Sequence, residues 1–156
     1  QLGPLVSAVQ MERVLSYVKH GNDGGARLVQ GGQRVGTPGY FVEPTVFGGV
    51  TNAMKIAREE IFGPVLSVIP FKDENDAVFQ GNDTEFGLAA GVWTRDIGRA
   101  HRVARKLKSG RVWVNTWGQS GPIMSFGGYK QSGYGREQGA ESIEAYTQTK
   151  SVLVGL

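Results

Sequence analysis

Residues 88–115 have the sequence LAAGVWTRDIGRAHRVARKLKSGRVWVN, and this stretch decides the fold class. It begins with an apolar run that is typical of a buried strand, and it ends with another, Arg111-Val-Trp-Val-Asn115. Between the two runs, Asp96 is placed to cap a helix whose apolar residues recur at helical spacing from Ile97 to Leu107. Strand, helix and strand joined by short connections predict parallel strands, because a crossover helix returns the chain to the same end of the sheet.

The flanking sequence extends this pattern in both directions. Ser7 and Gln10 form a capping box, Gly21 is a predicted helix stop, and Pro44 predicts an edge or irregular strand. The predicted elements, in chain order, are a helix over 7–21, a strand over 40–47, a short helix capped by Thr51 and running through Ala57, a strand over 64–71, a helix over 73–81, the strand–helix–strand of 88–115, a helix over 136–145 and a strand over 146–154. The expected fold class is α/β, with one compact unit built on a parallel sheet with covering helices and a C-terminal strand that pairs outside the domain.

Composition excludes several classes of protein. The chain has 156 residues, of which 40% are hydrophobic and 20% charged, and its net charge is only +3. These values are typical of a globular protein, and no apolar run approaches the roughly 18 residues of a membrane span. There is no cysteine, so neither a disulfide framework nor a thiolate metal site is available. We expect a cytoplasmic protein without membrane contact, and Gln1 in place of an initiating methionine predicts a fragment.

The glycine-rich and basic segments do not have the residue spacing or composition of a phosphate-binding loop or a nucleic-acid-binding surface. No Gly-Lys dipeptide occurs, which excludes a P-loop, and Gly133-Tyr-Gly135 followed by Gly139 is one residue too long for a dinucleotide fingerprint. The basic segment 95–111 is compatible with a nucleic-acid surface, but it lacks interleaved aromatic residues and is better explained as a solvated helix face. We therefore predict no nucleic-acid partner and no metal site.

Two segments carry more chemistry than core packing requires. Arg58-Glu-Glu-Ile-Phe-Gly-Pro64 places two carboxylates and an aromatic residue at a turn before a strand. Phe126-Gly-Gly-Tyr-Lys-Gln-Ser-Gly-Tyr-Gly-Arg-Glu137 is a long loop rich in glycine, aromatic residues and charge. Loops of this kind, held on a rigid scaffold, commonly carry binding groups. Together with Arg111–Asn115, they resemble the E-E-x-F-G-P and V-N…P-F-G-G-x-K-x-S-G-x-G-R-E motifs of the aldehyde dehydrogenase superfamily.

The resemblance covers essentially the whole chain and implies the C-terminal part of an NAD- or NADP-dependent enzyme. Such enzymes oxidise an aldehyde to a carboxylic acid through a cysteine thioester. The family's cysteine, its general base and most of its cofactor domain precede the matched segments, so the chain alone is expected to be inactive. The alternative is a non-catalytic binding or assembly module of the same fold.

The resemblance also implies roles for individual residues. Glu60 matches the glutamate that binds the nicotinamide ribose, and Phe62 matches the aromatic residue beside the nicotinamide. Glu137 matches a glutamate credited with proton relay, with a structural ion pair as the alternative. The substrate-binding candidates are Trp117, Ser120 and Phe126.

The implied organisation is a catalytic-domain portion over residues 1–145 and an oligomerisation strand over 146–156, through which a homo-oligomer is expected. One residue departs from the family pattern. Ser125 stands before Phe126 where the family usually has proline, which predicts a looser turn at this point.

Overall fold

A computed structural model describes residues 2–156. The helices are α1 (Ala8–Asp23), α2 (Lys55–Arg58), α3 (Glu74–Asn82) and α4 (Ile97–Lys106). The strands are β1 (Arg27–Gln30), β2 (Thr45–Gly48), β3 (Val65–Ser67), β4 (Phe86–Gly87), β5 (Ala89–Val92), β6 (Arg111–Val114) and β7 (Tyr129–Lys130). The predicted α/β class is confirmed. The single compact unit that the sequence predicts is not observed. The chain divides into two compact units, of which the first ends at Asp76 and the second begins at Ala77, within α3.

The first unit is built on a three-stranded mixed sheet. Strand β2 lies at its centre, antiparallel to β1 and parallel to β3. Of the two alternatives predicted from Pro44, the edge strand was wrong, because β2 is central and Pro44 lies just before it. The irregular strand agrees with the register shift in the pairing of β2 with β1. Phe47 of β2 and Val14 of α1 are fully buried, so the helix and the central strand form the core of this unit.

Helix α1 begins where the capping box predicts and ends two residues later than expected. The Ser7 hydroxyl accepts a 3.2 Å hydrogen bond from the Gln10 backbone N–H. Gly21 is not the helix stop. A Cβ atom at Gly21 would lie 2.8 Å from the Phe47 ring, so this glycine allows the helix and the central strand to pack closely. Helix α1 ends at Asp23, and Gly24 caps it.

The second unit contains the parallel pair that residues 88–115 predict. Strands β5 and β6 pair in parallel, with Ala89 opposite Arg111 and Val92 opposite Val114. The Asp96 carboxylate accepts a 3.0 Å hydrogen bond from Arg99 N–H and caps α4, as expected. The parallel strands do not form one sheet, however. Strand β3 pairs with β2 in the first unit, and β4 forms a separate antiparallel pair with β7.

The C-terminal residues differ most from expectation. The predicted helix over 136–145 is replaced by a 3₁₀ helix, Ala140–Tyr146, because Gln138 and Gly139 both have positive φ and delay its start. Residues 147–156 form no regular secondary structure within the chain and are exposed. Their pairing as a strand outside the domain stays a prediction. Across residues 2–156, no helix is long and apolar enough to cross a membrane.

Candidate functional site

In the first unit, one face of α1 holds the turn that contains Glu59, Glu60 and Phe62. Gln10 Nε2 donates to the carbonyl oxygens of Ile61 (3.1 Å) and Phe62 (3.0 Å). Arg13 Nη2 donates to the carbonyl oxygen of Glu60 at 2.9 Å. Gln10 and Arg13 are three residues apart, so both reach the same side of the helix. The backbone of the turn is therefore fixed by side chains that are distant from it in sequence.

The two carboxylates of this turn have different surroundings. Glu59 accepts a 2.7 Å hydrogen bond from the Tyr17 hydroxyl and bonds of 2.5 and 2.6 Å from Lys55 Nζ. The bonds from Lys55 first, and from Tyr17 second, lower the pKa of the Glu59 carboxyl, because both stabilise its charged form. The exposed Glu60 carboxylate has no hydrogen bond or ion pair within residues 2–156. Glu59 thus stabilises the turn, and Glu60 presents a free acceptor.

Phe62 projects from the same turn. Its side chain is 72% exposed, and its backbone is left-handed with φ 57°. The turn is anchored on both sides of it, since Ile61 is buried and a Cβ atom at Gly63 would lie only 2.4 Å from the Val14 side chain. A bulky residue held in this conformation is uncommon and is maintained by the contacts around it. Phe62 therefore presents an exposed aromatic ring from an anchored backbone, two residues after Glu60.

In the second unit, three tryptophans gather at the ends of β5 and β6. The Trp117 ring lies 4.8 Å from that of Trp113 and stacks 6.4 Å from that of Trp93, centroid to centroid. Gly91 makes this possible, because a Cβ atom there would lie 2.5 Å from Trp93 and 3.0 Å from Trp117. Such ring pairs add to the free energy of burial, and their faces can bind apolar or cationic groups. Trp117 remains 59% exposed.

The turn after β6 directs the chain toward these rings. Asn115 has a left-handed backbone, with φ 54°. Its side-chain oxygen accepts from Thr94 N–H and its side-chain nitrogen donates to the Thr94 carbonyl, each at 2.9 Å. Because both strand ends are tied by one amide, the segment that follows Asn115 starts from a fixed position. An open groove of about 440 Å³ lies beside Trp93, Thr94 and Asn115.

Phe126 and Glu137 are brought together by their backbones. Phe126 N–H donates to the Glu137 carbonyl at 2.7 Å, and Glu137 N–H donates to the Phe126 carbonyl at 2.8 Å. The Glu137 side chain is exposed, and the predicted relay is neither supported nor contradicted by this contact. Ser120 is also exposed, in the segment after Gln119, whose carbonyl accepts a 2.7 Å hydrogen bond from Trp113 Nε1.

The structure adds residues that the sequence did not assign to the site. Gln10, Arg13 and Tyr17 hold the turn that contains Glu59 and Glu60, and the Arg111 guanidinium lies over the Phe126 ring. The three-residue spacing on α1 was visible in the sequence, but nothing local indicated its target. No group of three or more metal-ligating side chains occurs among the described residues.

Comparisons with known proteins identify the family. The sequence pattern of the "Aldehyde dehydrogenase family" matches residues 1–152, and the chain belongs to this family. A betaine aldehyde dehydrogenase of Cereibacter sphaeroides is 51% identical over 156 residues, which are 100% of this chain and 32% of the relative. A putative aldehyde dehydrogenase, DhaS, of Bacillus subtilis is also 51% identical, with the same coverage. The chain therefore spans about a third of the length of the relatives it matches.

Solved structures give the same result. An aldehyde dehydrogenase of Bacillus cereus in complex with NAD⁺ is 49% identical, with a TM-score of 0.96 over 100% of this chain and 32% of that one. The aldehyde dehydrogenase KauB of Pseudomonas aeruginosa is 52% identical, with a TM-score of 0.95 over 99% of this chain and 32% of that one.

Proposed function

We propose that this chain is the C-terminal part of an NAD- or NADP-dependent dehydrogenase that oxidises an aldehyde to a carboxylic acid. Three kinds of observation support the proposal: family membership, the free Glu60 carboxylate in a pinned turn, and the aromatic cluster of the second unit. The turn around Glu60 carries most weight, because Gln10 and Arg13 hold its backbone while the exposed Glu60 carboxylate remains available to a ligand.

On the cofactor side, Glu60 is proposed to bind the ribose hydroxyls next to the nicotinamide. A carboxylate only accepts hydrogen bonds, and it can take one from each of two neighbouring hydroxyls. Arg13 holds the Glu60 backbone, so mainly side-chain freedom is lost on binding. Phe62 offers its exposed ring to the nicotinamide end. The cofactor, when bound, accepts the hydride from the aldehyde carbon.

On the substrate side, Trp117, Ser120 and Phe126 are proposed to line the aldehyde-binding tunnel. The faces of Trp117 and Phe126 suit apolar aldehydes through dispersion and cationic aldehydes through cation–π contact. Ser120 would add a small polar group to the same wall. Some relatives are named for betaine aldehyde, and the aromatic cluster itself is apolar. The proposal therefore includes both apolar and cationic aldehydes.

The covalent chemistry is assigned to the rest of the parent protein. A thioester route needs a thiolate, and this chain contains no cysteine. The nucleophile and the general base would come from the part of the protein that precedes these motifs in the family order. Glu137 is then a candidate proton relay, since its carboxylate is exposed while its backbone is fixed against Phe126.

The C-terminal residues are proposed to mediate homo-oligomer formation in a cytoplasmic enzyme. Val152, Leu153 and Val154 are between 73% and 99% exposed. An exposed apolar segment that forms no strand pairing within residues 2–156 is suited to pairing with the sheet of another subunit.

The test compares Glu60→Gln with Glu59→Gln in the full-length protein. Glu60→Gln should raise the KM for NAD or slow hydride transfer by about tenfold or more, because a charge-assisted acceptor is lost. Glu59→Gln, the matched control, should lower thermal stability and raise the cofactor KM only modestly, by clearly less than Glu60→Gln. If Glu60→Gln leaves both the cofactor KM and hydride transfer unchanged, the ribose assignment is wrong.

A further inference from the structure

Arg111 is a buried charged residue at the start of β6. Only 6% of its surface is exposed. Its Nη2 atom donates hydrogen bonds to the carbonyl oxygens of Met124 (2.9 Å) and Ser125 (3.1 Å) and to the side-chain oxygen of Gln138 (3.2 Å). A charge is buried at a cost, which is offset only when several acceptors surround it. These acceptors are mostly backbone atoms just before Phe126.

The same guanidinium contacts aromatic rings. Its Cζ atom lies 4.8 Å from the centroid of the Phe126 ring and 5.8 Å from that of Trp113. Both distances are within the range of cation–π attraction. One side chain therefore contacts the Phe126 ring, the two carbonyls that precede it, and the tryptophan that packs against Trp117.

The position of Ser125 adds to this arrangement. Its carbonyl oxygen accepts from Arg111, and its hydroxyl donates to the Glu141 carboxylate. Ser125 has none of the backbone restriction of a proline, which would fix φ at this point of the turn. The turn before Phe126 is thus held by side-chain contacts.

We propose that Arg111 is a positioning residue for residues 117–126, the substrate loop. It sets the place of the Phe126 ring relative to Trp113 and Trp117 without touching the substrate itself. The inference rests on the proposed function of these rings as the tunnel wall. Arginine suits the role better than lysine, because its planar group can stack on a ring while donating hydrogen bonds in its own plane.

The experiment compares Arg111→Met and Arg111→Lys with Arg34→Met in the full-length protein. Arg34 is exposed, and it is a control for the hydrogen bonds alone, because its Nη2 atom also bridges two loop carbonyls, those of Thr37 (2.6 Å) and Gly39 (3.1 Å), in the first unit. Steady-state kinetics would give separate KM values for aldehyde and cofactor. Thermal unfolding would show that each variant is folded.

Arg111→Met should raise the aldehyde KM by roughly tenfold, because a small displacement of a positioning wall is costly. The cofactor KM should remain unchanged. Arg111→Lys should give a smaller rise, and Arg34→Met none. An unchanged aldehyde KM in folded Arg111→Met, or in Arg111→Lys if the methionine variant does not fold, would overturn the inference. Equal rises in both KM values would also overturn it. A wild-type protein that oxidises no aldehyde would instead contradict the proposed function.

Discussion

The Tyr17 hydroxyl donates a 2.7 Å hydrogen bond to Oε2 of Glu59, 42 positions away in the sequence. Arg13 and Lys55 both lie over the Tyr17 ring, at 5.4 and 5.5 Å from its centroid. This cluster connects α1 and α2 to the turn that presents Glu60. The tyrosine therefore supports the turn of the candidate cofactor site through Glu59 and is not itself part of the site.

Tyr17→Phe should disturb the turn while leaving the core intact, because only the hydroxyl is removed. We expect a lower thermal midpoint and, in the full-length enzyme, a modest rise in the cofactor KM with an unchanged aldehyde KM. Differential scanning fluorimetry and steady-state kinetics would measure the two effects. A rise in the aldehyde KM alone would contradict the supporting role.

The Tyr17–Glu59 bond also predicts a dependence of stability on pH. The pKa of Glu59 is lowered, first by the hydrogen bond from Lys55 and then by that from Tyr17, so its contribution is present above the usual value of 4.5. That contribution is lost as pH falls through the lowered pKa. The hydrogen bond to Glu59 raises the pKa of Tyr17 above 10.0, so its contribution is present below 10.0 and is lost as pH rises through the raised value.

The measurement is the free energy of unfolding between acid and alkaline pH. Glu59→Gln should flatten the acid side of the curve, and Tyr17→Phe the alkaline side. Identical curves for wild type and both variants would show that the bond does not couple folding to protonation.

Burial separates two valines of α1. Val14 is fully buried, whereas Val9 is 76% exposed. Val14→Ala should lower the free energy of unfolding by about 2 kcal/mol, through lost transfer energy and a residual cavity. Val9→Ala is the same change on the same helix and should have almost no effect. Denaturant titration would measure both, and equal losses would mean that α1 packs differently.

The chain alone should show no dehydrogenase activity. It has no cysteine to act as the nucleophile. Contacts at one end of the cofactor should give a Kd for NAD that is millimolar or weaker, which is a binding free energy on the order of 4 kcal/mol. The assays are NADH formation with a panel of aldehydes and NAD titration by calorimetry. Turnover above a mock preparation, or micromolar binding, would refute this expectation.

Self-association should depend on the C-terminal residues. Because residues 147–156 are exposed and form no strand within the chain, we expect dimers or larger species by light scattering. Deletion of residues 146–156 should shift the population toward monomer. A monomer at high concentration, unchanged by the deletion, would argue against a pairing strand.

The local sequence was sufficient to predict the elements that depend on capping residues and on the periodicity of apolar residues. The Asp96 cap, α4 and the parallel strands that flank it follow from capping, periodicity and short connections. The loop motifs were equally visible, and they indicated the family before any geometry was known. The C-terminal helix was mispredicted, because the left-handed backbone of Gln138 depends on contacts that periodicity does not report.

Local and tertiary contacts together distinguish two adjacent carboxylates. Lys55 lies four residues before Glu59, a helical spacing that the sequence already shows. Only the tertiary structure brings the Tyr17 hydroxyl to Glu59 and the Arg13 guanidinium to the backbone of Glu60. The same holds for Arg111, a charge at the start of a strand whose acceptors lie 13 to 27 positions further along the chain. Sequence determined which groups are available and which local pairs they can form, and packing between residues far apart in the chain determined their remaining partners.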